Sequence, residues 1–328
     1  MTVLQNTAAL QNTAADDAGA RHHELITLAD GLAPIRMAVV HPVDGPSLQG
    51  AAEAQQAGLI RALLIGPAHK IEAAAAAAGI DLAGFEVIAV DHSDAAAEKA
   101  GELARAGQAE AIMKGALHSD ELLRPVVDKA SGLRSARRIS HVFALDVPSY
   151  PKHLFVTDAA INIAPDLEAK RDIVQNAIDL AIALGIASPK VAILAPVETV
   201  TPKIAATVDA AALCKMAERG QIRGGILDGP LAFDNAISAE AAKTKGIVSP
   251  VAGDADILVV PDLNAGNILA KQMEYLAGAL SAGIVLGARV PIALTSRADG
   301  PLARLTSCAL ATILVRHAQG GGPERNPQ

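Results

Sequence analysis

The stretch "KHLFVTDAAINIAPDLEAKRDIVQNAIDLAIALG", residues 152–185, decides the fold class. Its opening, "KHLFVTD", is a short apolar run typical of a buried strand. A turn with Pro165 and Asp166 follows, and apolar residues then recur at helical spacing until Gly185, a residue type that often ends a helix. A strand followed by such a helix predicts one unit of an α/β fold. The apolar positions of the helix are Ile173, Val174, Ala177, Ile178, Ala181 and Ile182.

The same alternation of strand-like and helix-like segments runs along most of the chain. Short β-rich runs separated by helices predict parallel sheets covered on both faces. With 328 residues, the chain exceeds what one compact core usually takes, and two series of such units predict two α/β domains. The other strand-like segments are "IRMAVVHP", "RALLIGP", "FEVIAVD" and "AEAIMKG", followed by "KVAILAP", "GGILDGP" and "ADILVVPD".

The composition excludes several classes of protein. A net charge of −7 and 2% aromatic residues argue against a nucleic acid or an anionic membrane as the main partner. No run reaches the ~18 uncharged apolar residues of a membrane span, and we expect no secretory signal because no basic segment followed by an apolar one begins the sequence. Cys214 and Cys308 lie in helix-like apolar patterns, which predicts reduced core thiols and a cytoplasmic location. His22, His23 and Glu24 lack the spacing of a metal site, so we expect only a solvent-exposed start to the fold.

Polar residues recur just past the predicted strand ends. Ligands of open α/β sheets bind beyond the carboxyl ends of the strands. We therefore expect a site in the cleft between the two domains. The residues concerned are Lys114, Asp158, Glu198, Asp228, Asp262 and Ser296.

No standard nucleotide, hydrolase or metal motif is present, and we expect no metal. "MKGALHSDELLRP" instead places Lys114 after a strand, Ser119 as a helix N-cap and Arg124 one turn into that helix. A helix start of this kind can hold an anion, although acidic residues in the first turn oppose it and ordinary capping is the alternative. The same two interpretations apply to "PIALTSRADG", residues 291–300, where a buried strand ends.

Six segments, in chain order, resemble the phosphate acetyl/butyryltransferase family, and most closely its butyryltransferase branch. The resemblance runs from Ile35 to Val315. It implies reversible transfer of a short acyl group between coenzyme A and phosphate, with acyl-CoA and acyl phosphate as the other partners and no cofactor. It also implies a homodimer of two α/β domains with mainly parallel sheets and an inter-domain cleft, an architecture similar to isocitrate and isopropylmalate dehydrogenases. The segments are "MKGALHSDELLRP", "FVTDAAINIAPDLEAK", "ATVDAAALCKM", "DGPLAFDNAIS", "SPVAGDADILVVPDLNAGNIL" and "LTSRAD".

The resemblance also sets the expected domain boundaries, because the last helix of the family returns to the first domain. We expect the first α/β domain at residues 21–145 plus 290–318 and the second at 146–289. Both ends of the chain, 1–20 and 319–328, are small, polar and aperiodic, which predicts disordered tails.

The resemblance implies roles for individual residues. Arg297 of "LTSR" would bind the phosphoryl group, with Arg124 and Lys114 as further phosphate ligands. Ser296 would donate a hydrogen bond to the thioester as charge develops. The residues implied in binding substrate and coenzyme A are His118, Ser119, Asp158, Asn162, Asp262, Asn264, Gly266 and Asn267.

The general base is where this chain departs from the acetyltransferase pattern. Those enzymes resemble one another in an Asp seven residues after the Ser, where this chain has Ala303, and in an Arg where Tyr275 aligns. Asp299, three residues after Ser296, is shared by butyryltransferase-like members and is the candidate base. A cap of the final helix is the alternative role for Asp299.

Two other functions fit parts of the sequence. A metal- and NAD-dependent decarboxylating dehydrogenase would need carboxylates such as Asp254, Asp256 and Asp262 around a divalent ion, and nicotinamide absorbance would reveal it. A non-catalytic coenzyme A-binding module is disfavoured because Ser296 and Arg297 are both present.

Overall fold

The computed structural model describes residues 19–295 and 299–320. Within these ranges the strands form one eleven-stranded sheet. The strands are β1 (Ile35–Val40), β2 (Ile60–Gly66), β3 (Glu86–Ala89), β4 (Ala111–Lys114), β5 (Ser140–Asp146), β6 (Leu154–Thr157), β7 (Lys190–Leu194), β8 (Ile226–Leu231), β9 (Ile257–Val259), β10 (Leu280–Leu286) and β11 (Ile292–Ala293).

Helices connect most of these strands, as the alternating pattern predicts. No helix in the described ranges is long and apolar enough to cross a bilayer. The helices are α1 (Ala20–Thr27), α2 (Gly45–Gln56), α3 (Ala68–Ala78), α4 (Ser93–Arg105), α5 (Ser119–Val127), α6 (Leu167–Ala183), α7 (Ala205–Glu218), α8 (Phe233–Ile237), α9 (Ala239–Thr244), α10 (Leu263–Leu276) and α11 (Pro301–Ala318).

The spatial order of the strands is β3-β2-β1-β4-β11-β10-β5-β6-β9-β7-β8. The five strands from β3 to β11 are parallel to one another, and so are the four from β6 to β8. β10 and β5 lie between these two groups and make only antiparallel pairs. The α/β class with mostly parallel strands is therefore confirmed, but the two series of strands share one sheet.

β5 and β10 were not predicted as the link between the two series. β5 connects to β6, and β10 to β11, through short loops without a helix, whereas the alternating sequence pattern predicts strands that are separated by helices. The expected domain boundaries fall at the end of β5 and in the turn between β10 and β11. The division into two domains stays a prediction.

Both faces of the sheet are buried. Along β1, Met37 and Val39 belong to one apolar core, and Ala38 and Val40 belong to another on the opposite face. A strand covered on both sides needs apolar residues at every position, which explains why its sequence does not alternate with polar residues. α11 packs against α1, α2 and β10, so the last described helix completes a core begun by β1.

α1 is attached to the sheet by buried polar groups. The backbone N–H of Arg21 and its Nη1 donate to the Asp146 carboxylate, at 3.1 and 2.5 Å. His22 is buried, and its ring nitrogens lie 3.1 Å from Thr306 Oγ1 and 3.2 Å from the carbonyl oxygen of Leu280. The expectation of a solvent-exposed start is therefore wrong at His22. The helix also begins at Ala20, one residue inside the expected tail; residues 1–18 and 321–328 lie outside the described ranges.

A substitution at Gly115 tests how tightly the segment after β4 packs against the end of β1. A Cβ at this position would lie 2.3 Å from the carbonyl oxygen of Val40, too close for any rotamer to relieve. We expect Gly115→Ala to lower the free energy of unfolding by about 1–3 kcal/mol, as other overpacking changes do. Thermal unfolding followed by circular dichroism measures this.

Gly66, at the end of the neighbouring strand β2, is the matched control. A Cβ there would meet Ile71 Cδ1 at 3.4 Å and His41 Cα at 3.5 Å, which are ordinary contacts. Gly66→Ala should therefore leave the melting temperature nearly unchanged. Equal melting temperatures for the two variants would show that β4 can move away from β1 without loss.

Candidate active site

A cavity of about 290 Å³ lies where strand ends from both parallel groups meet. The chain leaves β11 at Leu294, whose N–H donates to the carbonyl oxygen of Gly283 in the middle of β10. From the opposite direction, β6 ends at Thr157, paired with Val142 of β5. The long central pair β5–β10 thus forms a floor on which both groups terminate. The polar residues lining the cavity are Lys114, His118, Ser119, His141, Asn267, Lys271 and Thr295.

Four of the residues expected in the site line this cavity: Lys114, His118, Ser119 and Asn267. Ser296 and Arg297 lie outside the described residues, directly after Thr295, which also lines the cavity. The structure therefore brings the predicted phosphate ligand Lys114 to the point where "LTSR" begins.

Lys114 is the last residue of β4 and is only 6% exposed. Its Nζ donates to the carbonyl oxygen of Thr295 at 3.4 Å. Lys271 of α10 adds a second ammonium group, held by Glu274 at 2.6 Å. A buried ammonium group in a cavity wall attracts anions more strongly than an exposed one, because the local dielectric constant is low.

The start of α5 differs in detail from its prediction. The helix begins at Ser119 itself, so the N-cap is His118 and not the expected Ser119, and no side chain caps the helix. The helix start then keeps N–H groups that no cap side chain satisfies, next to the cavity. Asp120 and Glu121 lie in the first turn, as expected.

Arg124, on the same helix, does not line the cavity. Its side chain is 67% exposed and pairs with Asp94 at the start of α4. An exposed pair of this kind contributes little to stability. A role for Arg124 in phosphate binding stays a prediction.

Asp158 and Asn162 form a closed turn after β6. The Asp158 carboxylate accepts hydrogen bonds from the backbone N–H groups of Ala160, Ile161 and Asn162 at 3.0–3.1 Å, and from Asn162 Nδ2 at 2.6 Å. Burial raises the pKa of Asp158, and these hydrogen bonds oppose that rise. Arg138 Nε donates to Asn162 Oδ1 at 2.8 Å. The turn brings Ala160 into the cavity wall; a direct contact of Asp158 or Asn162 with substrate stays a prediction.

The remaining predicted residues belong to the start of α10. Asp262 is its N-cap and accepts from the N–H of Ala265 at 2.9 Å, while Asn264 is exposed. A Cβ on Gly266 would lie 2.7 Å from Val260 Cγ2 and 3.0 Å from the carbonyl oxygen of Asp158, so glycine allows the helix to approach the turn. Asn267, one residue further, reaches the cavity.

The six strand-end residues do not all meet. Glu198 pairs with Lys245 at 2.5 Å, and neither Glu198 nor Asp228 lines the cavity. The reason is topological: β7 and β8 are the last two strands of the sheet order, on the far side of β6 and β9 from β4.

His141 is the main feature that the sequence did not reveal. It lies on β5, is completely buried and lines the cavity, with its ring centroid 4.3 Å from that of Phe143. Burial lowers the pKa of His141 to about 3, and the backbone of Leu294 works weakly in the other direction. The available signal was a polar residue inside the apolar run "SHVFALD".

The two thiols lie away from the cavity and are inert. Burial is the main cause that raises the pKa of both Cys214 and Cys308 to about 12. Cys308 is fully buried beside the sulfur atoms of Met37 and Met113. Across residues 19–295 and 299–320, no cluster of three or more His, Cys, Asp or Glu side chains could hold a metal ion.

A larger cavity of about 900 Å³ lies elsewhere, lined by Pro291 before β11 and by the end of α11. It contains none of the residues expected in the site, and its Arg137 pairs with Asp179. We place the candidate active site in the smaller cavity because a buried cation and the start of "LTSR" meet there.

The chain is similar to acyltransferases over most of its length. The family model described as phosphate acetyl/butaryl transferase matches residues 91–311. A phosphate acetyltransferase of Rhizobium meliloti is 60% identical over 293 residues, 89% of this chain and 93% of the relative. A phosphate butyryltransferase of Clostridium acetobutylicum is 40% identical over 280 residues, 85% of this chain and 93% of the relative.

A solved structure agrees with these matches. The branched-chain phosphotransacylase from Enterococcus faecalis V583 superposes with a TM-score of 0.74 at 28% identity, covering 86% of this chain and 99% of the other. The identity with the acetyltransferase is higher than that with the butyryltransferase. The chain belongs to the phosphate acetyl/butaryl transferase family and is an acyltransferase.

Proposed function

We propose that the cavity beside Lys114 is the active site for the reaction acyl-CoA + phosphate ⇌ acyl phosphate + coenzyme A. The observation that carries this proposal is the buried ammonium group of Lys114 within hydrogen-bond distance of the Thr295 carbonyl oxygen, immediately before Ser296 and Arg297. Cations and a hydroxyl group at one place suit a phosphate and a carbonyl that react with each other.

The transfer is direct, within a ternary complex. The coenzyme A thiolate attacks the carbonyl carbon of acyl phosphate, the C–S bond forms, and the C–O bond to phosphate breaks with its electron pair leaving on phosphate. The thiol proton goes to a base, which helps because a thiol of pKa ~8.5 is only a few per cent ionised at neutral pH. Arg297 and Lys114 hold the phosphoryl group, and Ser296 donates to the oxygen on which charge develops.

The geometry gives no support to the dehydrogenase alternative. Asp254 pairs with Lys152 at 2.8 Å and with Lys190 at 2.5 Å, and Asp256 pairs with Lys152 at 2.7 Å. Asp262 caps α10. Carboxylates already neutralised by lysines are poor ligands for a divalent ion.

An inter-domain cleft, a homodimer and a cytoplasmic location belong to the same proposal. Residues from both groups of parallel strands line the cavity, which supports the cleft, and both cysteines are free, which supports the cytoplasmic location.

The acyl group is acetyl or butyryl, and the higher identity to an acetyltransferase favours acetyl. Acyl phosphate formation from phosphate and a series of acyl-CoA thioesters of increasing chain length tests activity and preference together. No acyl phosphate from any thioester would refute the function.

The thiols test whether an acyl-enzyme forms. Because burial keeps both thiols protonated, we expect Cys214→Ala and Cys308→Ala each to retain most of the wild-type kcat. The measurement is initial rate at a temperature below the melting point of each variant. Loss of turnover in a folded variant would indicate a covalent intermediate.

Arg297 tests the phosphate site. A guanidinium fork that matches phosphate cannot be replaced by a point charge without loss, so Arg297→Lys should raise KM for phosphate more than KM for coenzyme A. Arg124→Lys is the control, since Arg124 is exposed and pairs with Asp94; its effect on KM for phosphate should be smaller. The opposite ranking would move the phosphate ligand to Arg124.

Asp299 tests the general base. α11 begins at Pro301 and its N-cap residue is Gly300, so Asp299 lies one position before the N-cap. If Asp299 takes the thiol proton, Asp299→Asn should lower kcat ~10²-fold or more, and the acidic limb of the pH–rate profile should disappear. A near-normal kcat with an unchanged profile would exclude Asp299 as the base.

A further inference from the structure

Two buried histidines in this protein have opposite surroundings. His22 has partners for both ring nitrogens, Thr306 Oγ1 and the carbonyl oxygen of Leu280. His141 is equally buried, but neither Nδ1 nor Nε2 makes a hydrogen bond of normal geometry in the part of the chain that the structure describes, and the Leu294 backbone near the ring only opposes the fall of its pKa. Of the two, only His141 lines the candidate active site.

An unpartnered buried imidazole is unfavourable. Each buried polar atom without a hydrogen bond costs about 1–3 kcal/mol of stability. Native proteins keep such groups rarely, and those they keep call for a specific explanation. The cavity next to the His141 ring offers such an explanation, because a molecule bound in the cavity can provide the missing hydrogen bond.

The protein leaves room for this ring. Gly283 of β10 pairs with Phe143 and is a diagonal neighbour of His141, and a Cβ there would be 2.7 Å from Nε2 of His141 and 2.4 Å from the carbonyl oxygen of Leu294. Any side chain at position 283 would collide with both the imidazole and the segment leading to Thr295. Glycine therefore permits His141 to lie beside the end of β11.

The charge state of His141 indicates which ligand atom it suits. With a pKa of about 3, the ring is neutral at any working pH and can neither supply a positive charge nor take the thiol proton. The cavity already has cations in Lys114 and Lys271 for a phosphate group. A neutral N–H donor instead matches an uncharged acceptor.

We infer that His141 donates a hydrogen bond from its neutral imidazole N–H to the carbonyl oxygen of the acyl group, the one group that acyl-CoA and acyl phosphate share. This rests on the proposed function. The bond strengthens as the carbonyl oxygen gains negative charge in the tetrahedral transition state, so the donor accelerates transfer in both directions. Lys114 then serves the phosphoryl group and His141 the acyl group.

The same substitution at both histidines separates this role from a structural one. His141→Leu removes two unsatisfied polar atoms, so kcat should fall about 100-fold while the melting temperature stays the same or rises. His22→Leu removes two hydrogen bonds, so the melting temperature should fall while kcat stays within about twofold of wild type. His141→Asn and His141→Gln place an N–H near Nδ1 and Nε2 respectively, and one of them should recover at least tenfold of the loss.

A spectroscopic measurement tests the hydrogen bond without turnover. In the absence of phosphate, isotope-edited infrared spectra of bound acetyl-CoA labelled with ¹³C at the carbonyl should show the C=O band at lower wavenumber than in free solution. His141→Leu, saturated with the same ligand, should lose that shift, and His22→Leu should keep it.

Two results would overturn the inference. One is a kcat of His141→Leu within threefold of wild type, and the other is an equal carbonyl shift in wild type and His141→Leu. If the kinetic variants disagree with one another, the infrared result decides. An inactive wild type would instead refute the proposed function, because the activity of the wild type does not depend on how His141 acts.

Discussion

The antiparallel pairing of β5 with β10 is the constraint on which the rest of the structure depends. It joins two groups of parallel strands that run in opposite directions. If the groups had been joined by a parallel pair, their carboxyl ends would lie on the same edge of one large sheet. Because the join is antiparallel, the ends of β4 and β11 approach the centre from one side and the end of β6 from the other. The cavity lies where they meet.

Local patterns in the sequence predicted the elements well. The helix after residue 166 and the apolar runs of β1, β2 and β7 depend on spacing within one segment, which a single sequence shows directly. The central link was not predicted, because β5 and β10 are distant in the chain and pair through backbone groups that every sequence has. No side-chain pattern distinguishes such a pairing from its alternatives.

The candidate site was predicted in part for the same reason. Lys114 was predicted because it ends a strand-like segment and Asn267 because the family resemblance implies it, and both reach the cavity. Asp158 also follows a strand, but its carboxylate turns back onto the next N–H groups, a choice made by the local backbone. His141 gave little signal, since its character comes from burial by distant segments.

The charge states of several ionisable groups in this protein depend on how deeply each group is buried. The thiols of Cys214 and Cys308 stay protonated and His141 stays neutral for one main physical reason: burial removes much of the hydration that a charged form would need. Lys114 is nearly as enclosed, yet the Thr295 carbonyl oxygen accepts from it. Charge in the cavity is thereby concentrated on a few lysines.

The packing of α11 against α1 and α2 has a consequence for how the chain acquires its structure on the ribosome. Strands β6 to β9 and their helices are contiguous in sequence, so this portion can collapse as soon as it emerges. The core around β1 and β4 includes Cys308, Leu310 and Ile313 of α11, and therefore stays open until α11 has been translated. Its contacts span most of the chain, which makes their formation slow. The strand β1 is thus made long before the helix that covers it, and during that interval its apolar surface is exposed and can bind a chaperone.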